Sequence, residues 1–481
     1  MNQSNFEKIL KISCVIMLVA ISGAFLHYSI NILNCPLEWE DMEGKRANDA
    51  VLFSEFSSPY VHGNDIDHPP VYYILVGLLI KLFGFSMLWG RLVSFLATII
   101  SVYLIYKIVH DITKDNFISI LSGVLLIAYK GSAYILPLIT PDITTVMFSL
   151  LGLYFISHIK EKNIYGYLAV ISFVLAIYTK QSAVATIVAS FVYLYIIEKK
   201  LAFKFFPIFL LISISILLYL QLSSDGWFSY LILGTPYLRG NLTPTYTIIS
   251  QILFLRYNLV FLAVAFIFIF YQDKKNNYLL WKLNFLFSIL FTLYLGMYKG
   301  IGFDLFIMLQ IPATCILFGI SFHHLINKMK LDSMVKSLIL LLVLCQLIVV
   351  FIFKGQYSNN GLFIIPNKDD YNNSNKLISY VKNTEGDILT GKTKSFALLA
   401  GKKIWYLSTE SLYQIWEIDG KYDPSEIVEK VKDKKFSLII GYPDIPPIRE
   451  QVLKNYTVTD SIRYHNKFGL YRNTFYIRQP K

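Results

Sequence analysis

Charged residues make up only 16% of this 481-residue chain, against 55% hydrophobic. With a mean hydropathy of +0.51, that shortage excludes an ordinary soluble enzyme and leaves a polytopic membrane protein. Cysteine is nearly absent. Of the four, Cys14, Cys315 and Cys345 fall in apolar runs and only Cys35 lies outside them, too few and too scattered for a disulfide scaffold or a zinc site. No dense Lys/Arg run is interleaved with aromatics, so the net charge of +12 does not describe a nucleic-acid face. Nor is there an internal repeat or a long low-complexity tract. The first apolar run, Ile12 to Leu33, has no small-x-small cleavage site behind it and exceeds the ~7–15-residue core of a cleaved signal, so it reads as a retained span.

What is present is a series of apolar windows. They run from Leu88 to Val109, Phe117 to Leu136, Ile143 to Ile159, Tyr165 to Tyr178, Ala183 to Ile197, Phe205 to Leu222, Ile252 to Phe270, Tyr278 to Tyr298, Phe303 to Leu325 and Val335 to Phe353. With the first run these predict about eleven spans near the ~20 residues a bilayer requires, some of them short. Pro70 to Phe83 is apolar for only ~14 residues, a length that suits an interfacial or re-entrant helix. Lysines 8, 11, 107, 114, 160, 162, 199, 200, 204, 274, 275, 282, 328, 330 and 336 fall on alternate loops, which places the amino terminus inside. The first loop (about 34–87), the Asp225–Ser250 loop and everything after Lys354 then face outward.

Composition changes near Gly355, where Asn, Asp and Lys replace the apolar windows. The expected division is a membrane domain over 1–355 and a soluble α/β domain over 356–481, about the size of one small domain. In the latter, 387–390, 403–407 and 436–441 read as strands. Lys376 to Asn383 and Pro424 to Lys432 read as helices, the second capped by Asp423 with proline at its first position.

Candidate chemistry gathers in the first outer loop. Glu40, Asp41 and Glu43 are packed just beyond the first span, where a carboxylate can act as a general base. Lys45, Arg46, Arg91, Lys180 and Arg256 are cations able to neutralise a phosphate. Lys180 and Asp304 lie within apolar surroundings, where charge is costly unless it faces a cavity or a partner. Asp142, in Thr140-Pro141-Asp142, fits equally an N-cap and a site residue. Glu40, Asp41, Glu43, Asp65, Asp67 and His68 could gather around a divalent ion, but their spacing is not diagnostic and no metal is assigned.

These motifs in order are Glu38 to Gly44, His68-Pro69-Pro70-Val71-Tyr72-Tyr73, Gly90-Arg91-Leu92, Thr140-Pro141-Asp142, Thr179-Lys180-Gln181 and Gly302-Phe303-Asp304. Over roughly residues 1 to 355 they resemble the GT-C superfamily of polyprenyl-phosphate-sugar glycosyltransferases, of the aminoarabinose-transferase and protein O-mannosyltransferase type. The resemblance implies an inverting transferase that needs no cofactor and takes a sugar from a lipid-phosphate carrier to an extracytoplasmic acceptor. It makes Asp41 the favoured base, with Glu43 and Glu40 as alternatives, and Lys180 and Arg91 the phosphate-holding cations. His68, Tyr72, Tyr73, Arg46, Asp142, Arg256 and Asp304 complete the expected substrate site. Richness in Ile, Lys, Asn and Tyr fits AT-biased codons and so a bacterial cytoplasmic membrane, with a eukaryotic lumen as the alternative, and the lysine pattern turns the site outward. Two other classes stay open: a flippase or transporter for a polar lipid, and a non-catalytic membrane scaffold.

Overall fold

The computed structural model describes residues 3–40, 42–55, 59–61, 64, 66–129, 133–234, 258–271, 276, 278–299, 307–329, 331–352, 365–391, 394–405, 415–417, 420–441, 443, 445–468 and 472–481. Each of the eleven apolar windows contains a helix, α1 (Gln3–Leu33), α4 (Met87–Thr113), α5 (Asn116–Ala128), α6 (Pro141–Ser157), α7 (Asn163–Ile177), α8 (Val184–Ile197), α9 (Lys199–Leu222), α10 (Leu259–Ile269), α11 (Leu279–Lys299), α12 (Ile307–His323) and α13 (Ser333–Ile352), although α5 ends eight residues before the predicted Leu136 and residues 252–257 and 303–306 lie outside the described ones. Among the described residues four of them, α1, α4, α9 and α13, are long and apolar enough to cross a membrane. One apolar core runs through the bundle. The side chains that escape it, such as Ile16 and Val19 on α1 and Leu211 and Leu222 on α9, are large and apolar as well, the pattern of helices whose outer faces meet lipid.

Two further helices sit between α1 and α4. α3 (Val71–Phe83) is the short helix expected after the double proline. α2 (Glu43–Ser54) is polar in sequence yet buried from Glu43 through Ala50. Buried charges persist only when paired and hydrogen-bonded, so α2 must bring its partners with it. It packs on α3 at Gly77, where a Cβ would lie 2.9 Å from the Ala50 carbonyl oxygen and only glycine allows the approach.

Helix starts follow local chemistry. Ser86 caps α4 by accepting from the Leu88 amide, and Asp115 caps α5 by accepting from Ile118. Thr140 caps α6, with Pro141 in the first turn. The cap at α6 is therefore Thr140 and not Asp142, whose carboxylate is left for another partner.

The carboxy-terminal region carries a four-stranded sheet, ordered β1-β2-β4-β3, of β1 (Asp387–Thr390), β2 (Phe436–Ile440), β3 (Tyr456–Phe468) and β4 (Arg472–Pro480). β1 and β2 are parallel and the other pairings antiparallel. Helices α14 (Lys368–Asn383), α15 (Ser395–Leu399), α16 (Ser425–Lys432) and α17 (Pro446–Asn455) accompany it. α14 starts eight residues ahead of the expected Lys376, because Asn367 and Asp370 form a reciprocal capping box. At α16 Pro424 occupies the cap position, while Asp423 accepts from the Ser425 amide and hydroxyl. Lys403, Ile404 and Trp405 are not in a strand as predicted, and residues 406–407 lie outside the described ones. The β3–β4 hairpin was not anticipated.

Candidate active site

The α1–α2 loop turns around one guanidinium. Arg91, on α4 and fully buried, donates through Nη1 to the carbonyls of Ile32 (2.8 Å) and Cys35, through Nη2 to Leu37 (2.6 Å) and Glu43 Oε2 (2.8 Å), and through Nε to Glu43 Oε1 (2.9 Å). All five of its N–H donors are used. Glu43 is equally occupied, since Oε1 also accepts from the Ile139 amide at 2.9 Å and Oε2 from the Trp39 amide at 2.6 Å. Burial alone would raise the Glu43 carboxyl, but Arg91 and the two amides hold it below its usual range. With its oxygens saturated, Glu43 is a strut rather than a carboxylate open to a substrate proton. Arg91 likewise has no N–H left for a phosphate. Glu43 was expected as an alternative base and Arg91 as a phosphate-holding cation, and here their hydrogen bonds go to each other and to the backbone.

Beside this strut lies a second set of charges. Lys180, just before α8, donates to Asp142 Oδ1 at 2.6 Å, and the hydroxyl of Thr140 donates to Asp142 Oδ2. Arg46 donates through Nη1 to Glu40 Oε2 (3.2 Å) and to the Ile139 carbonyl (3.1 Å), and its Nε finds no hydrogen-bond partner among the described residues. Lys45 is inserted between Asp67 (2.9 Å) and Asp49 (3.4 Å). His68 Nε2 lies 3.8 Å from Asp67, while its Nδ1 is buried with no hydrogen-bond partner among the described residues. The backbone closes the ring: the Val71 amide donates to the Tyr178 carbonyl at 2.9 Å, which ties the start of α3 to the turn that carries Lys180.

The aromatic pair behind His68 is structural in its contacts. Tyr72 donates to the Gly90 carbonyl (3.0 Å) and meets Ser94 Oγ (3.1 Å), holding α3 on α4. Tyr73 stacks on Phe53, with its hydroxyl unpartnered among the described residues. Side-chain exposure falls from 27% at Glu40 through 11% at His68 and 10% at Asp67 to 6% at Lys180 and 4% at Arg46. The cluster thus opens at Glu40, and beneath it lie buried ion pairs in which Asp142, at 1%, accompanies Lys180.

Of the residues predicted from sequence, Glu40, Glu43, Arg46, His68, Tyr72, Tyr73, Arg91, Asp142 and Lys180 come together here. Asp41, Asp65, Arg256 and Asp304 lie outside the described residues. Among the described residues no three His, Cys, Asp or Glu side chains are placed to hold a metal, and the space between Asp49 and Asp67 holds the Lys45 ammonium. Sequence reasoning missed the pairing of Lys45 with Asp67, and it gave Glu38 and Thr140 no role of their own beyond the motifs they stand in.

His68 gives the site a pH dependence of definite sign. Burial drives its imidazole from 6.5 down to about 3; Asp67 and Asp142 oppose this, while Lys180 and Arg46 reinforce it. The ring is neutral in the fold and charged in the unfolded chain below 6.5. Its contribution to stability is therefore present above that value and lost as pH falls toward 3. Relative to His68→Gln, the wild type should lose on the order of 2 kcal/mol between pH 7.5 and 4.5, read as a widening gap in melting temperature in detergent. A gap that stays constant across this range would contradict a buried neutral His68.

Comparison with known proteins gives a family match over part of the chain and a shared fold. Residues 67–223, the stretch carrying His68, Arg91, Asp142 and Lys180, match the family model described as dolichyl-phosphate-mannose-protein mannosyltransferase. The solved structure of ArnT from Cupriavidus metallidurans bound to undecaprenyl phosphate superposes with a TM-score of 0.62 at 9% identity, covering 95% of this chain and 97% of that one. Its apo form gives 0.63 at 10% identity, covering 96% and 97%. No curated protein matches by sequence. The chain is an integral membrane protein that shares the fold of these ArnT structures.

Proposed function

We propose that this protein is a membrane glycosyltransferase that moves a sugar from a polyprenyl-phosphate carrier to an acceptor outside the cytoplasm, with inversion at the anomeric carbon. The observation that carries the reading is the buried cluster in which Lys180 and Arg46 lie beneath Glu40, with His68, Asp142 and Lys180 inside the segment that matches the mannosyltransferase model. The ligand in the ArnT structure supports the choice of carrier class.

In this reading the acceptor hydroxyl attacks the anomeric carbon and its proton passes to a carboxylate of the 40–43 segment. The bond from the anomeric carbon to the phosphate oxygen breaks, and its electron pair leaves with the polyprenyl phosphate. Lys180 and Arg46 face that developing charge, and His68 offers its open Nδ1 to the same phosphate. Because Glu43 is saturated and Glu40 is paired with Arg46, Asp41 is the proposed base. No metal or organic cofactor enters the scheme. The membrane domain over 1–355 holds the chemistry, the domain over 356–481 lies outside, and the setting is a bacterial cytoplasmic membrane. The partners are the lipid-linked donor, the extracytoplasmic acceptor and the bilayer, with no nucleic acid.

Asp41→Asn should lower donor turnover by roughly 100-fold or more while yield and melting temperature stay at wild-type values. The product's anomeric configuration, read by NMR, should be opposite to that of the donor. Retention of configuration, or full activity in the variant, would remove Asp41 from the role.

A further inference from the structure

Glu38 is an acid of the first loop that the transferase scheme does not use, and it is 3% exposed. Its partners lie across the molecule. Oε1 accepts from the Lys394 amide at 2.8 Å, Oε2 accepts from the Ser395 amide at 2.7 Å, and the Glu38 amide donates to Ser395 Oγ at 3.1 Å. The carboxylate also lies against the start of α2, where a Cβ on Gly44 would be 2.6 Å from Glu38 Oε2. Three consecutive residues thus face three anchors: the Leu37 carbonyl is held by Arg91, Glu38 by the start of α15, and the Trp39 amide by Glu43.

This is a packed junction rather than a tether. Ile32, Cys35 and Trp39 share one buried cluster with Leu377, Phe396 and Ala397 of the carboxy-terminal region. Tyr371 on α14 donates to the Asn31 carbonyl at 2.8 Å, a second link to the same turn. Burial raises the Glu38 carboxyl to about 7 against the opposing hydrogen bonds of Ser395 and Lys394.

We propose that Glu38 is a positioning residue through which the carboxy-terminal domain fixes the loop ahead of α2, so that the domain is a working part of the active site. The inference rests on the transferase reading for its effect on rate, and on geometry alone for its effect on the loop. By chain connectivity Glu38 stands three residues before Asp41. An error of about 1 Å in the placement of a reacting group is sufficient to slow a reaction roughly 100-fold.

The test uses the full-length protein in detergent or nanodiscs, comparing wild type with Glu38→Ala, Glu38→Gln, Ser395→Ala and the Glu38→Ala/Ser395→Ala double variant. Two quantities are read: donor turnover, resolved into kcat and KM, and amide hydrogen exchange over residues 43–54. Glu38→Ala should lower kcat roughly 10- to 100-fold with KM for the donor unchanged, and should speed exchange in α2. Glu38→Gln should recover part of both, because its carbonyl still accepts one amide. The double variant should be no worse than Glu38→Ala, since both substitutions break one junction. Wild-type kcat together with wild-type exchange in Glu38→Ala would overturn the proposal, as would additive losses in the double variant. If Glu38→Ala fails to fold, Glu38→Gln and Ser395→Ala carry the same two readings. If the wild type turns over no donor, the transferase reading has failed, and exchange in α2 alone decides whether Glu38 fixes the loop.

Discussion

Replacing Arg91 with alanine should abolish the folded protein rather than merely its activity. The guanidinium joins three carbonyls at the end of α1 to the first residue of α2. Its removal leaves Glu43 as an uncompensated buried charge. Breaking a buried pair in this way costs about 3–5 kcal/mol, and three orphaned carbonyls add to it. Arg91→Lys should not rescue, because an ammonium has three donors where five are used. Glu43→Gln should be milder, since the amide keeps an oxygen for one of the backbone N–H groups. The measurement is the monodisperse fraction after extraction, together with the melting temperature. A stable Arg91→Ala protein that has lost only turnover would return Arg91 to the phosphate-binding role that its motif first implied.

The second large effect is at Lys180. Its alanine variant should lose roughly 100- to 1,000-fold in turnover, the range for deleting a single group that faces developing charge. It should also be destabilised, because Asp142 loses the ammonium at 2.6 Å. These two consequences are separable. Lys180→Met combined with Asp142→Asn removes both charges, so it should recover most of the stability while turnover stays low. If the double variant regains activity along with stability, Lys180 does no more than neutralise Asp142.

The helices of the membrane bundle were legible because a stretch of apolar residues reports its own environment. Each of the eleven windows became a helix, and the interruption at Pro69-Pro70 correctly set α3 apart. The pairings were not legible. Glu43 and Arg91 both stood out as motif residues, but nothing local links positions 48 apart in sequence, and hydropathy does not distinguish a guanidinium aimed at a carboxylate from one aimed at solvent. Asp142 illustrates the same limit. Its place after a Thr-Pro pair fits a cap, and only the turn before α8 reveals that Lys180 claims it. Glu38 was invisible as a junction because its partners are backbone amides more than three hundred residues away. In the carboxy-terminal region β1 and β2 were read from their apolar runs. β3 and β4 escaped because polar and charged side chains, Thr457, Thr459, Asp460 and Arg463 among them, interrupt the apolar positions of a hairpin that gains its order from pairing with itself.

Release of free polyprenyl phosphate by the purified wild-type protein tests the central claim most directly. The donors are a panel of polyprenyl-phosphate sugars, offered with candidate acceptors and with nucleotide sugars as controls. Acceptor-dependent release from at least one lipid-linked donor, none from nucleotide sugars, and loss of release in Lys180→Ala is the predicted result. No release from any donor, with or without divalent metal, by a protein that remains folded would contradict the account and favour a transporter or scaffold built on the same fold.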